Sequence, residues 1–163
     1  MSENKPLTYK FLPANTDCVG IPSLYPERTP AEHVKDQKFD TYWYSGTNNA
    51  TLTLTFPNKL ELLSVRVFTC SLSGVTERGT FRLWGKYEIN SDPVEIGTQF
   101  VSVTADYQNP QPIEFVFPVF HTTDSTSPES NQRSYQQLCL ICEGISVVNE
   151  VQIVEVSKAI DMR

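Results

Sequence analysis

Two cysteines, Cys139 and Cys142, have the C-x-x-C spacing of redox motifs and zinc knuckles. They lie in an apolar run, residues 138–142, that reads as a β-strand. Residues i and i+3 of a strand point to opposite faces of the sheet, so these two thiols cannot bind one ion. We therefore predict buried, reduced cysteines, and the four in the chain are too few for a disulfide scaffold.

Side chains that could support catalysis are sparse. The chain has two histidines, His33 and His121, and no serine stands between the glycines of a nucleophile elbow. Asp36 and Asp40 form a carboxylate pair on paper, but surface acids on turns explain them more simply. The scattered glycines include no G-x-G loop that would hold a phosphate. The sequence therefore predicts a protein that is not an enzyme.

The length and the net charge of the chain limit the number of domains and the kinds of partner it can have. The 163 residues suit one domain with a real hydrophobic core. A net charge of −6 argues against a nucleic-acid partner, because phosphate binding needs a surplus of Lys and Arg. No stretch approaches the roughly 20 apolar residues of a membrane span, so membrane insertion is not expected. The N-terminus lacks a signal-peptide pattern, which predicts a cytoplasmic or virion-associated location.

The sequence predicts that the secondary structure consists of short β-strands. Residues 51–56 alternate strictly, so Leu52, Leu54 and Phe56 share one face and three threonines share the other. Further strands are predicted at residues 60–68, 81–87, 94–96, 100–103, 113–117, 135–142 and 150–156. No window shows a convincing amphipathic helix. Short strands separated by turns indicate an all-β, antiparallel sandwich or barrel.

The first 30 residues contain five prolines and little periodicity. We expect residues 1–30 to form an extended, proline-rich arm that packs on the domain or on a neighbour, with one strand near residues 9–12. Residues 31–163 then form the β-sandwich, with a polar loop at residues 121–134.

Three separated segments resemble the discoidin, or factor V/VIII C-type, domain family, whose fold is galactose-binding-domain-like. Residues 36–46 resemble its D-G-N-x-x-T-x-W-x-S entrance loop, and residues 63–68 its central V-R-V strand. Residues 135–140 and 148–153 resemble its last two strands. The resemblance spans about residues 31–157 and implies an eight-stranded antiparallel jelly-roll β-sandwich, with Trp43 plugging one end.

Many members of this family hold a structural Ca²⁺ at the entrance loop. The resemblance implies that Asp36 and Glu150 supply carboxylates, Lys38 a main-chain carbonyl and Thr41 an oxygen. The chain departs from the family at Gln37, where the family has glycine; a positive φ there would strain glutamine. The alternative is a metal-free loop in which Asp36 accepts backbone N–H bonds and caps the turn.

The family also binds sugars through loops at one end of the sandwich, which here correspond to residues 69–79, 87–92 and 120–134. The candidate sugar contacts that the resemblance implies are Arg78, Tyr87, Asn90 and His121. Glu77 and Arg78 match half of a fucose-lectin motif, but the expected Arg-x-Asp upstream is missing, so fucose specificity is not expected. Alternatively, Arg78 is a solvated loop charge.

Two functional classes remain open. The first is a non-catalytic structural or adhesion subunit of a large assembly, such as a virion or phage decoration protein, which contacts protein neighbours and binds cell-surface glycans through end loops. The second is a free-standing, lectin-like carbohydrate-binding module, or an intracellular adaptor in a multiprotein complex. Fold alone does not decide between them.

Overall fold

The computed structural model describes residues 8–72, 76–104, 112–119 and 134–156. Alternating apolar and polar residues build ten strands, and the helical content is one 3₁₀ helix, Ala31–Lys35, within these ranges. The strands are β1 Lys10–Phe11, β2 Asp17–Ile21, β3 Trp43–Tyr44, β4 Asn49–Thr69, β5 Glu77–Lys86, β6 Val94–Val103, β7 Ile113–Pro118, β8 Ser134–Glu143, β9 Val147–Val148 and β10 Glu150–Glu155. His121 lies outside the described residues.

Two antiparallel sheets face each other, which gives the predicted jelly-roll β-sandwich. The first sheet has the order β1-β10-β4-β7, and the second has the order β2-β4-β8-β5-β6. Strand β4 belongs to both, and together the sheets contain eight strands. A separate small pair joins β3 to β9. Since each strand is apolar on one side, the two sheets bury those sides against each other.

The long strand β4 unites two predicted strands, residues 51–56 and 60–68. Its register against β8 shifts between Thr55 and Leu60, where Pro57 and Asn58 interrupt the alternation. Such an irregularity bends a strand without ending it, so the chain passes from one sheet to the other. Strand β6 likewise unites the strands predicted at residues 94–96 and 100–103.

The N-terminal segment is more integrated than the predicted arm. Lys10 and Phe11 pair with Ile153 and Gln152 of β10, close to the strand expected near residues 9–12. In addition, β2 pairs along the first half of β4, from Asp17 opposite Thr55 to Ile21 opposite Thr51. Leu12 and Cys18 are buried in the core. Residues 10–21 are therefore part of the sandwich, because their hydrogen bonds complete two sheet edges that would otherwise be open.

The core is a continuous cluster between the sheets. Its largest fully buried side chains include Trp43, Phe56, Phe81 and Phe117. Trp43 is buried as expected, and its indole N–H donates to the Ser23 hydroxyl at 2.7 Å. Burying one such apolar side chain contributes about 1.5–3 kcal/mol, so the sandwich depends on these few residues.

The C-x-x-C pair lies on β8 as predicted, with its thiols on opposite faces. Cys142 is buried in the core, whereas Cys139 is half-buried on the outer face of the second sheet. All four cysteines are free. Burial raises the pKa of the Cys142 thiol and raises that of Cys18 to about 12, so both remain protonated near neutral pH.

No helix in the described parts of the chain is both long enough and apolar enough to cross a membrane.

Candidate functional site

The entrance loop follows directly from the 3₁₀ helix and is organised by Asp36. One carboxylate oxygen of Asp36 accepts the backbone N–H of Lys38 at 3.0 Å, and the other accepts the Thr41 hydroxyl. Gln37 adopts φ = 67°, in the left-handed region that glycine prefers. Gln37 therefore stands, in place of the family's glycine, at a position where the backbone has a positive φ.

Glu150 brings a second carboxylate to this loop from the start of β10, opposite Phe68 on β4. Its side chain is fully buried, and neither carboxylate oxygen has a hydrogen-bond partner among the described residues. Burial, together with the nearby carboxylate of Asp36, raises the pKa of Glu150 to about 8, and the backbone N–H of Gln37, close by but outside hydrogen-bond geometry, offsets part of this rise. A buried carboxyl group without a hydrogen-bond partner is costly, because its lost hydration is not replaced.

The donor set at this loop suits a hard cation. Two acidic side chains converge there, and a cation between them would neutralise both and supply the partner that Glu150 lacks. No group of three or more His, Cys, Asp or Glu side chains that could hold a metal ion occurs within residues 8–72, 76–104, 112–119 and 134–156, so any ion at this loop would need main-chain or hydroxyl oxygens beside the two carboxylates. Asp36 also caps the turn, as in the metal-free alternative.

The candidate sugar contacts do not come together at one end of the sandwich. Arg78 lies near the start of β5, whereas Tyr87 and Asn90 follow its end. Tyr87 is nine positions beyond Arg78 along extended chain, which is about 30 Å. The structure therefore does not bring these three residues together, and their roles as sugar contacts stay a prediction. In a run of antiparallel strands, successive connections lie at opposite ends, and this alternation places the 69–79 and 87–92 loops apart.

Tyr87 and Asn90 occupy different environments at their end of the sandwich. The Tyr87 ring is half-buried against the core and stacks on Tyr135, with ring centroids 5.1 Å apart. These contacts account for the orientation of the Tyr87 ring, and no ligand is needed to explain it. Asn90 is exposed in the loop between β5 and β6.

Arg78 instead has an aromatic neighbour on β6. Phe100 is 86% exposed on the outer face of the second sheet, directly opposite Thr80. Arg78 and Arg82 flank that position on β5, so both are diagonal neighbours of the Phe100 ring. Arg82 is itself fixed by Glu143, with Nε and Oε1 3.0 Å apart. We call Arg78, Arg82, Phe100 and Glu143 the Arg78 surface.

Sequence reasoning missed Phe100 as a site residue, although the signal was present. Val101 and Val103 are buried, so the period of two places Phe100 on the solvent side of β6. A large exposed aromatic on an otherwise regular strand is the unusual observation. Its nearness to Arg78 could not be read from the sequence, because it depends on the register between β5 and β6.

The comparisons with known proteins agree with this architecture. No protein-family model and no curated protein matches the chain. Among solved structures, a factor V/VIII type C domain from Bacteroides fragilis is similar with a TM-score of 0.61 and 11% identity, over 92% of this chain and 98% of that one. The chain therefore has the discoidin-like, galactose-binding-like fold.

Two carbohydrate-binding modules from Clostridium perfringens are similar to the same extent. The family 32 module of NanJ, in complex with galactose, has a TM-score of 0.60 and 9% identity, over 90% of this chain and 98% of the module. A module in complex with GalNAc-β-1,3-galactose has a TM-score of 0.59 and 13% identity, over 89% and 99%. At this level of identity the likeness concerns the fold.

Proposed function

We propose that this domain is a non-catalytic, glycan-binding module. The observation that carries the proposal is the exposed Phe100 ring between two arginines, on a fold shared with modules that are in complex with galactose and with GalNAc-β-1,3-galactose. An aromatic face stacks on the C–H side of a sugar ring, while guanidinium and carboxylate groups bond its hydroxyls.

The Arg78 surface supplies these groups in one place. The ion pair between Arg82 and Glu143 restricts both side chains before a ligand arrives, which lowers the entropy cost of binding. Arg78 has no ion-pair partner among the described residues, so its N–H donors remain free to bond sugar oxygens. Asn90, Tyr87 and His121 are left as candidates for a separate contact.

We further propose that a structural Ca²⁺ occupies the entrance loop. The carboxylates of Asp36 and Glu150, with oxygens from Lys38 and Thr41, would hold the ion. When bound, Ca²⁺ supplies a counter-charge that pins the loop to the first residue of β10. The unpartnered Glu150 carboxylate supports this assignment.

A glycan array probed with the isolated domain tests the function. We expect hits that are lost in Arg78→Ala and in Phe100→Ala. The matched control is Arg28→Ala, because Arg28 is also an exposed arginine but lies in the N-terminal segment. An array without hits, or hits that survive both substitutions, contradicts glycan binding at the Arg78 surface.

An assembly role is the second candidate function, as a structural or adhesion subunit of a virion or another large complex. It is supported by an apolar surface in the N-terminal segment, where Ile21, Leu24 and Tyr25 are 67%, 48% and 47% exposed. Such surfaces mark protein contacts. Replacing Ile21 and Leu24 with serine should release the protein from its purified particle, with Val94→Ser as control; unchanged retention contradicts this role.

A further inference from the structure

A groove crosses the outer face of the second sheet beside the Arg78 surface, and its lining residue Ile141 lies directly opposite Arg82. It has a volume of about 350 Å³, and its walls include Trp84, Lys86, Gln137, Cys139, Thr53 and Pro93. This volume is at the lower end of the range for small-molecule sites. The groove is therefore large enough for a small ligand and too small for a folded partner.

The register of three neighbouring strands explains the composition of the walls. Cys139 on β8 lies between Trp84 on β5 and Thr53 on β4, all in one row across the sheet. In the next row, Gln137 lies between Lys86 and Thr55. The indole ring of Trp84 therefore lies beside the amide of Gln137 and the ammonium of Lys86. All three residues are on strands and not on loops.

Several polar groups at this groove lack partners. The indole N–H of Trp84 is buried without a hydrogen-bond acceptor, and Lys86 forms no ion pair, among the described residues. Gln137 donates its amide to the Thr55 hydroxyl at 2.9 Å, which leaves its carbonyl oxygen available. The Lys86 ammonium and the Gln137 carbonyl oxygen are therefore available to a ligand that brings hydroxyl groups to this wall, whereas the buried Trp84 N–H is not, and Trp84 contributes its ring.

We propose that this groove is a second carbohydrate subsite, which binds a sugar ring against Trp84. The inference rests on the proposed glycan-binding function and identifies the second point at which the glycan is held. The lining residues include one cation, Lys86, and no acidic side chain, so the groove offers donors to the hydroxyl and ring oxygens of a sugar. The Trp84 ring packs on the apolar side of the sugar, and Lys86, Gln137 and Thr53 bond its hydroxyls.

The position of Trp84 relative to Phe100 implies an extended ligand. Phe100 lies opposite Thr80, and Trp84 follows Thr80 by four residues on the same face of β5. This separation is about 13 Å along the strand. One sugar ring does not reach both aromatic residues, whereas a short oligosaccharide lying along β5 does. The domain is therefore expected to prefer an oligosaccharide to a monosaccharide.

Calorimetry with galactose, GalNAc-β-1,3-galactose and a galactose-terminated tetrasaccharide tests this subsite. We expect the tetrasaccharide to bind most tightly, and Trp84→Ala to weaken it by about tenfold, equivalent to about 1.4 kcal/mol. Galactose binding at the Arg78 surface should not change. Ile113→Ala removes a comparable exposed side chain from the other sheet and serves as the control.

The alkylation rate of Cys139 provides an independent measurement, because it uses the unmodified protein and needs no folded variant. Its thiol lines the groove, while Cys18, Cys70 and Cys142 are buried, so the tetrasaccharide should slow alkylation of Cys139 in the unmodified protein. If Cys139 is not protected and Trp84→Ala binds the tetrasaccharide normally, the subsite is refuted while glycan binding stands. If none of the three sugars binds, both the subsite and the glycan-binding proposal are overturned for galactose-containing ligands.

Discussion

The buried carboxylate of Glu150 lies close to that of Asp36, although the two residues are at opposite ends of the domain sequence. Asp36 uses its oxygens to hold the turn, through Lys38 and Thr41, while Glu150 has no partner within the described chain. Burial of Glu150, and after it the negative charge of the partly buried Asp36, raises the pKa of Glu150. The tertiary structure thus brings together a pair of groups that a cation would stabilise.

Calcium should raise the melting temperature of the domain, because the ion would bind the folded state and not the unfolded chain. At a Ca²⁺ concentration of 100 times Kd, the gain is about 2.7 kcal/mol. For a chain of this size, each kcal/mol raises Tm by about 2–4 °C. Differential scanning fluorimetry with Ca²⁺ and with EDTA measures the shift.

The matched variants for this measurement are Glu150→Gln and Glu155→Gln, both on β10. Glu150→Gln should abolish the calcium-dependent shift and raise the stability of the metal-free protein, whereas Glu155→Gln should keep the shift. Equal melting temperatures in Ca²⁺ and EDTA would refute the metal site.

Gln37→Gly should stabilise the protein. The φ of 67° costs a residue with a side chain about 1–2 kcal/mol, part of which glycine loses again through its freer unfolded chain. We expect a net gain of about 0.5–1 kcal/mol in urea unfolding. Lys38→Gly, at the next residue and without a positive φ, should destabilise. A loss of stability in Gln37→Gly would mean that the glutamine side chain contributes more than its backbone strain costs.

Gly20→Ala should destabilise the sandwich. A Cβ at this position would stand 2.3 Å from the indole ring of Trp43, which is fully buried and held by Ser23. Overpacking of this kind costs typically about 1–3 kcal/mol. Gly97→Ala is the control, because its Cβ would approach Phe117 no closer than 3.3 Å. Equal stability of the two variants in urea unfolding would show that the Trp43 ring moves aside.

Stability should fall in alkaline solution, in part because of Cys18. Burial raises the pKa of this thiol from 9.0 to about 12, so the unfolded chain loses the proton first. The contribution of Cys18 is therefore fully present below about pH 9 and is lost as pH rises toward 12. Urea unfolding between pH 8 and pH 11 measures the slope. Cys18→Ala should reduce it, and an unchanged slope would place the titration in other groups.

The sequence by itself determined the longer strands after residue 50 and which of their side chains enter the core. Alternation predicted the buried face of residues 51–56, and i, i+3 geometry separated Cys139 from Cys142. The sequence did not predict that β2 pairs with β4, because residues 1–30 have almost no periodicity. The pairing also depends on a partner strand that is distant in the sequence.

The candidate sites were decided by the tertiary structure. Family resemblance proposed Asp36 and Glu150 together, but only the fold shows that Glu150 is buried without a partner. The same fold separates Arg78 from Tyr87 and brings Arg78 beside Phe100. The physical reason is that alternation is local, acting over two residues, whereas register and strand order are set by long-range hydrogen bonds between strands. A side chain's face can be read from the sequence, and its neighbours across the sheet cannot.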